Sequence, residues 1–361
     1  MDSFFIDPDI SRAKTLDTSY YTSAHYFETS KEKIFAPSWQ FIGSTDLMEG
    51  AGSATPVTLL DGYINEPLVL TKDKSGTMHC MSNVCTHRGN LLVAGPCKLD
   101  HLRCKYHGRL FSLDGKFLSM PEFKEVKDFP TDADNLHRLP VFQWGKMLFT
   151  SLKPGIPAEE YFGEMIKRID WYPMDKLEYR ADLSKNYTVK ANWALYCENY
   201  LEGFHIPFVH AGLNQALDFG AYTTEVFRYS NLQLGTGKHP GECFTLPRSS
   251  PDHGKNIAAY YFWVFPNMMF NFYPWGLSVN LVQPTAVDQC NVSFFSFVCD
   301  ESMLEVGAGN GLDAVELEDE EVVENVQKGI RSRFYDHGRY SVTREQGTHH
   351  FHSLIAQFMN K

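Results

Sequence analysis

The chain has no long apolar run, no cluster of lysines and arginines, and too few cysteines to be built on disulfides. Its eight cysteines, at positions 80, 85, 97, 104, 197, 243, 290 and 299, are scattered through 361 residues, far sparser than in a secreted disulfide scaffold. Apart from Cys85 and Cys104 they read as buried free thiols. The formal net charge is −11 and no basic run appears, which excludes a general nucleic-acid binder, since phosphate backbones are held by clustered Lys and Arg. No apolar stretch approaches the roughly 20 residues that span a bilayer. Met1-Asp-Ser-Phe-Phe-Ile-Asp-Pro-Asp9 carries acids where a secretory signal carries Lys or Arg, so the expectation is a cytosolic protein. There is no internal repeat and no low-complexity tract. Gly307-Ala-Gly309-Asn-Gly311 lacks the preceding strand and the spacing of a dinucleotide loop and reads as plain loop. What remains is an ordinary composition, 43% apolar and 21% charged, with length for about two domains that each bury a core.

Residues 18 to 39 place Tyr20, Tyr21, Phe27, Ile34, Phe35 and Trp39 among Lys and Glu, which predicts one amphipathic helix from Ser23 or Thr29 to about Pro37. From there to Leu152 short runs of Val, Ile, Leu, Phe and Thr alternate with turn pairs: Pro56 to Leu60 before Asp61-Gly62, Leu68 to Thr71 before Ser75-Gly76, Leu110 to Leu113 before Asp114-Gly115. That is a small antiparallel β domain. Lys153-Pro-Gly-Ile-Pro157 reads as a linker. Beyond it the spacing predicts a helix over 161–170, a strand at 187–189 leading into Asn192-Trp193, a helix over 194–205, strands over 257–300, an acidic loop over 307–319 and a helical tail from Glu320.

In Cys85-Thr-His87-Arg88-Gly89 and Cys104-Lys-Tyr106-His107-Gly108, sixteen residues, Arg88 to Arg103, lie between His87 and Cys104. Each half supplies one thiolate and one imidazole, so two facing loops could hold two irons, Cys85 and Cys104 on one, His87 and His107 on the other; this is Rieske ligation. A glycine behind each histidine lets the chain turn sharply and bring backbone N–H groups toward the cluster sulfides. Structural zinc also takes two Cys and two His, but its ligand pairs usually stand two to four residues apart, and Cys85-x-His87 is tighter.

A second constellation lies in Glu198-Asn-Tyr-Leu-Glu202-Gly-Phe-His205-Ile-Pro207-Phe-Val-His210. Glu202 and His205 share a helix face. His205 and His210 would diverge by about 140° on an unbroken helix, so a kink or stop at Pro207 is expected to swing them together. Two histidines and one carboxylate form the facial triad of non-haem Fe(II) oxygenases. Asp319 is favoured as the carboxylate, although the spacing alone does not separate it from Asp313, Glu316, Glu318, Glu320 and Glu321. A cluster that stores one electron but has no open site, and an iron with open sites but no electron store, complement each other.

With both motifs in order, the chain resembles the α subunit of Rieske non-haem iron oxygenases, the aromatic-ring-hydroxylating family, along almost its whole length. The resemblance rests on the Cys/His pairs, Asn192-Trp193, Glu198 to His205, His210, and Glu318-Asp319 followed by Glu324-x-x-Gln327. It implies an α+β fold, with a helical segment at 1–39 packing with the catalytic domain, a Rieske [2Fe–2S] domain at 40–152 and a helix-grip catalytic domain at 153–361, a curved antiparallel sheet around a long helix. It implies Asp319 as the third iron ligand beside His205 and His210. Head-to-tail homotrimers are implied too, the two centres of one chain being too far apart, with Glu202 as the catalytic bridge between the neighbour's His107 and His205. Glu at 202 in its Asn-Tyr-Leu context, with the tail Val326-Gln-Lys-Gly-Ile-Arg-Ser332, looks more like the choline, glycine betaine and carnitine monooxygenase branch.

The expected activity is therefore O₂-dependent hydroxylation or N-demethylation of a small quaternary-ammonium or betaine-like substrate, with hydroxylation or dihydroxylation of an aromatic as the alternative. The aromatic stripe from Tyr260 to Trp275 could cage a trimethylammonium group or form sheet core. Without a flavin or nicotinamide motif, a separate NAD(P)H-dependent flavin and iron–sulfur reductase is expected. Two readings from other classes are a stand-alone Rieske electron-transfer protein and a zinc-stabilised binding protein. His349-His350-Phe-His352 has no paired acid or thiol nearby and is a weak metal motif.

Overall fold

The computed structural model describes residues 4–361, so positions 1–3 of the stretch read against a secretory signal lie outside the described residues. The chain divides into two compact units, Trp39–Pro154 and a second made of the segment up to Ser38 together with Gly155–Lys361.

In the 39–154 unit the β-branched and aromatic runs pair as short antiparallel strands. Five form one sheet in the order Cys97–Lys98, Ser53–Leu59, Glu66–Lys72, Met78–Ser82 and Arg138–Leu139. Two sheets of three strands flank the motif loops in sequence: Gln40–Ser44, Met147–Thr150 and Phe142–Trp144 in one, Leu102–Arg103, Leu110–Phe111 and Phe117–Ser119 in the other. The first predicted strand ends at Leu59 because Leu60 takes a left-handed φ of 49°. Leu110–Phe111 is shorter than expected because the Ser112 hydroxyl bonds the Asp114 carboxylate and turns the chain. Ala54, Val69, Met81, Phe111 and Leu113 form a core that includes Cys85 and Cys104. The two motif thiols are thereby fixed from behind by apolar packing.

The other unit is built on an eight-stranded antiparallel sheet. Its order is Glu178–Tyr179, Gln289–Val298, Gly276–Ala286, Met268–Tyr273, Ile257–Val264, Ser230–Thr236 and Thr223–Val226, with Lys185–Val189 also paired to 289–298. Every residue of 257–264 is buried, so the strand is covered on both faces and reads as a continuous apolar run instead of alternating. Gln233, Tyr261, Asn271 and Ser278 are successive cross-strand partners, one row across four strands. Because side chains alternate along a strand, that row faces a single side of the sheet.

Three helices matter for function. Trp193–Tyr200 is capped by Asn192, whose side chain accepts the Ala194 N–H at 3.0 Å. Leu312–Gly329 is tied to the approach to that helix: Glu324 accepts the Lys190 N–H at 3.0 Å and Gln327 the Asn192 N–H at 2.7 Å. The Glu324-x-x-Gln327 spacing thus puts two acceptors on one helix face to dock one strand end. The third helix is Gln346–Met359.

The helices also differ from the expectations. The N-terminal segment is not one helix but Ser19–Thr22, Ala24–Ser30 and a wider π-helical turn, Lys31–Phe35. Helix 312–329 begins at Leu312, not at Glu320: the loop-forming glycines stop at 311, and Asp-Ala-Val-Glu-Leu-Glu consists mostly of good helix formers, with acids favoured near an N-terminus. The helix over the Glu202 region ends at Tyr200, upstream of Pro207, and Pro207 lies in the first turn of a new short helix, Ile206–Val209, where its missing N–H costs nothing. Among the described residues no helix is long and apolar enough to cross a membrane.

Candidate metal centres and substrate cavity

The two Cys/His loops fold alike. Cys85 N–H donates to the Asn90 carbonyl and Gly89 N–H to the Cys85 carbonyl, at 2.9 and 3.0 Å; Cys104 N–H donates to the Arg109 carbonyl and Gly108 N–H to the Cys104 carbonyl, at 2.8 and 3.0 Å. Gly89 and Gly108 hold φ of 72° and 76°, left-handed values that a Cβ would strain, which is what the glycine after each histidine provides. The loops face each other, with the His87 and His107 rings 4.9 Å apart edge to face. Both cysteines are buried and interact with each other. Burial pushes the Cys85 thiol up. It acts on Cys104 as well, but hydrogen bonds, led by the Tyr106 N–H, outweigh it and bring that thiol down. Arg109, buried against Phe117 and Phe129 with its guanidinium carbon 4.9 and 5.4 Å from the ring centres, pairs with Asp134 and braces the second loop.

This donor set fits a [2Fe–2S] cluster. Two thiols meet on one side and two imidazoles on the other, and the buried Nδ1 of His107 has no hydrogen-bond partner, a cost that a bound group would remove.

In the second unit, His205 Nε2 and His210 Nε2 lie 3.1 Å apart, and Asp319 Oδ1 is 3.0 Å from the latter and 3.5 Å from the former. Among the described residues these three side chains are placed to hold a single metal ion. Donors about 2.1 Å from a metal and at right angles to each other stand about 3.0 Å apart, so the triangle has the dimensions of one octahedral face. The residues fit Fe(II).

Both imidazoles are aimed by carboxylates. His205 Nδ1 is 2.7 Å from Glu202 Oε1, and His210 Nδ1 is 2.7 Å from Glu318 Oε2. An Nδ1–H donated to a carboxylate leaves the Nε2 lone pair free to bind a metal and raises its basicity. Glu202 also accepts the backbone N–H groups of Phe204 and His205, which fixes it at the helix break. His210 is only 1% exposed; burial would lower its pKa, but the Asp319 and Glu318 carboxylates outweigh it and raise it. Glu318, one of six acids that the sequence left as possible ligands, stands behind His210 instead.

A cavity opens beside the triangle, lined by His205, His210, Asp319, Tyr196, Tyr200, Tyr222, Tyr261, Tyr273, Phe294, Gln233, Asn271, Asn280 and Glu316. Burial raises all five phenols, so each stays neutral. Tyr222 reaches the site because Gly203 has no side chain: a Cβ there would lie 2.6 Å from the Tyr222 ring. Of the 260–275 stripe, Tyr261 and Tyr273 line the cavity, while Phe262, Trp263, Phe265 and Phe270 are wholly buried side chains of the core. Sequence reasoning missed Tyr196, Tyr222 and Gly203 as parts of a site, and the signal was weak, since they come from separate elements. Glu316 is 5% exposed and accepts the Tyr196 hydroxyl at 2.6 Å; burial pushes its pKa up to about 8. The His349–His352 segment builds no such cluster among the described residues: His349 bonds the Asp7 carbonyl at 2.8 Å, and His352 bonds the Tyr340 hydroxyl and, contrary to the expectation of no acid nearby, lies 3.1 Å from the Glu198 carboxylate.

A model of the Rieske [2Fe-2S] domain matches residues 38–130, and one of the ring hydroxylating alpha subunit (catalytic domain) matches residues 174–361. The chain belongs to the ring hydroxylating alpha subunit family. This α subunit is similar to the chloroplastic choline monooxygenase of Arabidopsis thaliana, 31% identical over 97% of the chain and 84% of the relative. It is 26% identical to the carnitine monooxygenase oxygenase subunit of Escherichia coli (strain K12), over 96% and 94%. A crystal structure of the quaternary ammonium Rieske monooxygenase CntA with L-carnitine covers 98% of the chain and 97% of its own at a TM-score of 0.76 and 24% identity. Naphthalene 1,2-dioxygenase from Rhodococcus sp. shares the fold, at a TM-score of 0.73 and 18% identity over 96% and 94%. The α subunit is thus an α+β oxidoreductase of the Rieske oxygenase class, with a [2Fe–2S] domain and a catalytic domain for mononuclear iron. Enzymes of this class take O₂ and draw electrons from a separate reductase.

Proposed function

We propose that this α subunit is the terminal oxygenase of a monooxygenase that hydroxylates or N-demethylates a small quaternary-ammonium substrate. The observation that carries the reading is the cavity: five neutral phenols and one buried carboxyl converge beside the His205, His210 and Asp319 triangle. Neutral aromatic faces attract a trimethylammonium group, which has no N–H to donate and cannot be held by ordinary hydrogen bonds. The relatives named as choline and carnitine monooxygenases support the same class. An aromatic hydrocarbon fits less well, because the buried Gln233 Oε1 has no hydrogen-bond partner and a hydrocarbon offers it none, whereas the hydroxyl of an alcohol such as choline does.

In this reading Cys85, Cys104, His87 and His107 hold the cluster, and His205, His210 and Asp319 hold the iron. When bound, the two supply one-electron transfer and O₂ activation at a C–H bond. The chain's own side chains do the rest. Glu202 and Glu318 hold the Nδ1 protons of the two ligand histidines, keeping both Nε2 lone pairs aimed at one point. The phenols hold the cation with its reacting carbon toward that point, and the burial of the walls excludes water. Hydroxylation of an N-methyl carbon leaves a carbinol that collapses to formaldehyde and the demethylated amine.

Glu202 is further assigned as the bridge to the neighbouring subunit's His107 in a homotrimer, so that electrons cross between chains. Its position against His205 suits that duty: a carboxylate already bonded to one imidazole links the protonation of a second to it. The test is to reconstitute the protein with an NADH-driven reductase and supply choline, glycine betaine, carnitine and simple aromatics under ¹⁸O₂. Label in a quaternary-ammonium product, or formaldehyde release, is expected; turnover of the aromatics alone would reject the reading.

A further inference from the structure

The substrate cavity holds three carboxyl side chains, Glu202, Glu316 and Asp319, and neither a lysine nor an arginine lines it. Two of the three are matched: Glu202 is bonded to His205, and Asp319 belongs to the metal triangle. Glu316 is not. One of its oxygens accepts the Tyr196 hydroxyl at 2.6 Å, while the other, Oε1, is buried and has no hydrogen-bond partner. A carboxyl buried to this degree, with one oxygen unpartnered, ionises only at a cost, and a positive group beside it offsets that cost.

We propose that Glu316 is the cation anchor of the cavity, its carboxylate receiving the positive nitrogen of the substrate beside the Tyr196 phenol. The inference rests on the quaternary-ammonium reading of the site and adds to it the residue that distinguishes a cation from a neutral molecule of the same shape. Its position is what such a reaction requires. The oxidised carbon is bonded to the charged nitrogen or to its neighbour, so the charge must rest within a bond or two of the reacting atom, and the anchor must sit close to the metal. Glu316 lies three residues before Asp319 on helix 312–329, a spacing that stacks two side chains on one face at about 5–6 Å between their Cβ atoms. Aromatic faces alone bind cations and flat neutral molecules; a buried carboxyl without a partner for one oxygen favours the former.

The test uses the holoprotein, with both metal centres loaded, as wild type, Glu316→Gln and Glu316→Asp. Choline and γ-butyrobetaine are each compared with the carbon analogue in which tert-butyl replaces trimethylammonium, by anaerobic calorimetry and by KM. Glu316→Gln is expected to weaken cation binding by at least about 30-fold, to leave the neutral analogues within twofold, and to keep full iron content and the cluster absorbance. Glu316→Asp, which keeps the charge, should recover part of the loss. Equal weakening of cation and analogue in Glu316→Gln, or no change in either, overturns the anchor while leaving the substrate class intact. A wild-type protein that does not prefer the cations to their analogues overturns both.

Discussion

Removing the Glu318 carboxylate tests whether the arrangement behind the metal triangle matters as much as the triangle. Glu318 Oε2 lies 2.7 Å from Nδ1 of the buried His210, and Glu318→Ala removes that acceptor, leaving only mobile solvent in its place. Loss of a partner that orients a ligand histidine costs about 10–100-fold in metal affinity, or about 1.4–2.7 kcal/mol. The Glu318 side chain is 43% exposed, so solvent screens its charge and the expected value is near the lower end, about 10-fold. Glu318→Gln keeps an amide oxygen to accept the Nδ1–H and should lose less. The assay is anaerobic Fe(II) titration of protein that retains its cluster but lacks mononuclear iron, against a competing chelator, with the visible cluster absorbance as internal control. Affinity in Glu318→Ala within twofold of wild type would refute the assignment.

Other perturbations follow from the same geometry. Gly203→Ala places a Cβ 2.6 Å from the Tyr222 ring; displacement of that ring is expected to cost about 1–3 kcal/mol of stability and to raise KM, read by thermal denaturation and steady-state kinetics. Tyr261→Ala removes one cavity wall and should weaken choline binding by about 3–30-fold, the worth of one cation–π contact, with iron content unchanged. Arg168 bonds the fully buried Asp252 at 2.8 Å and Glu225 at 2.7 Å; Arg168→Ala leaves the Asp252 carboxylate Lys255 and the Tyr260 hydroxyl and should destabilise the fold by about 3 kcal/mol in denaturant melts. Burial would raise the Asp252 pKa, but Lys255 and Arg168 hold it below the ordinary carboxylate value. Its contribution is therefore fully present above the unfolded pKa and lost as pH falls through the lower folded one, so Asp252→Asn should flatten that part of the acid limb of a stability–pH curve.

What could be read from the sequence was what is local. The cluster loops are short and self-contained, and their Cys, His and Gly positions state the chemistry before any fold is known. His205 and His210 were legible as a pair, but the break that joins them was assigned to Pro207, when the helix ends at Tyr200 and Gly203 is left free to approach Tyr222. Reading 307–319 as loop hid more: once Leu312–Gly329 is a helix, Glu316, Glu318 and Asp319 take three different stations around one metal position, facing the cavity, backing His210 and completing the triangle. Spacing on a loop cannot order them. The cavity itself was out of reach, because Tyr196 comes from a helix, Tyr222 from a connection, and Tyr261 and Tyr273 from two strands, and only tertiary pairing puts them on one wall.

The account depends on two iron centres of different kinds in one chain, and counting metal in variants tests this directly. Anaerobically purified protein should be brown and contain three irons and two acid-labile sulfides per chain. His210→Ala should retain the colour and lose one iron, and Cys104→Ser should lose the colour and two. A colourless protein whose only metal is zinc, or a His210→Ala variant that keeps all its iron, would contradict it.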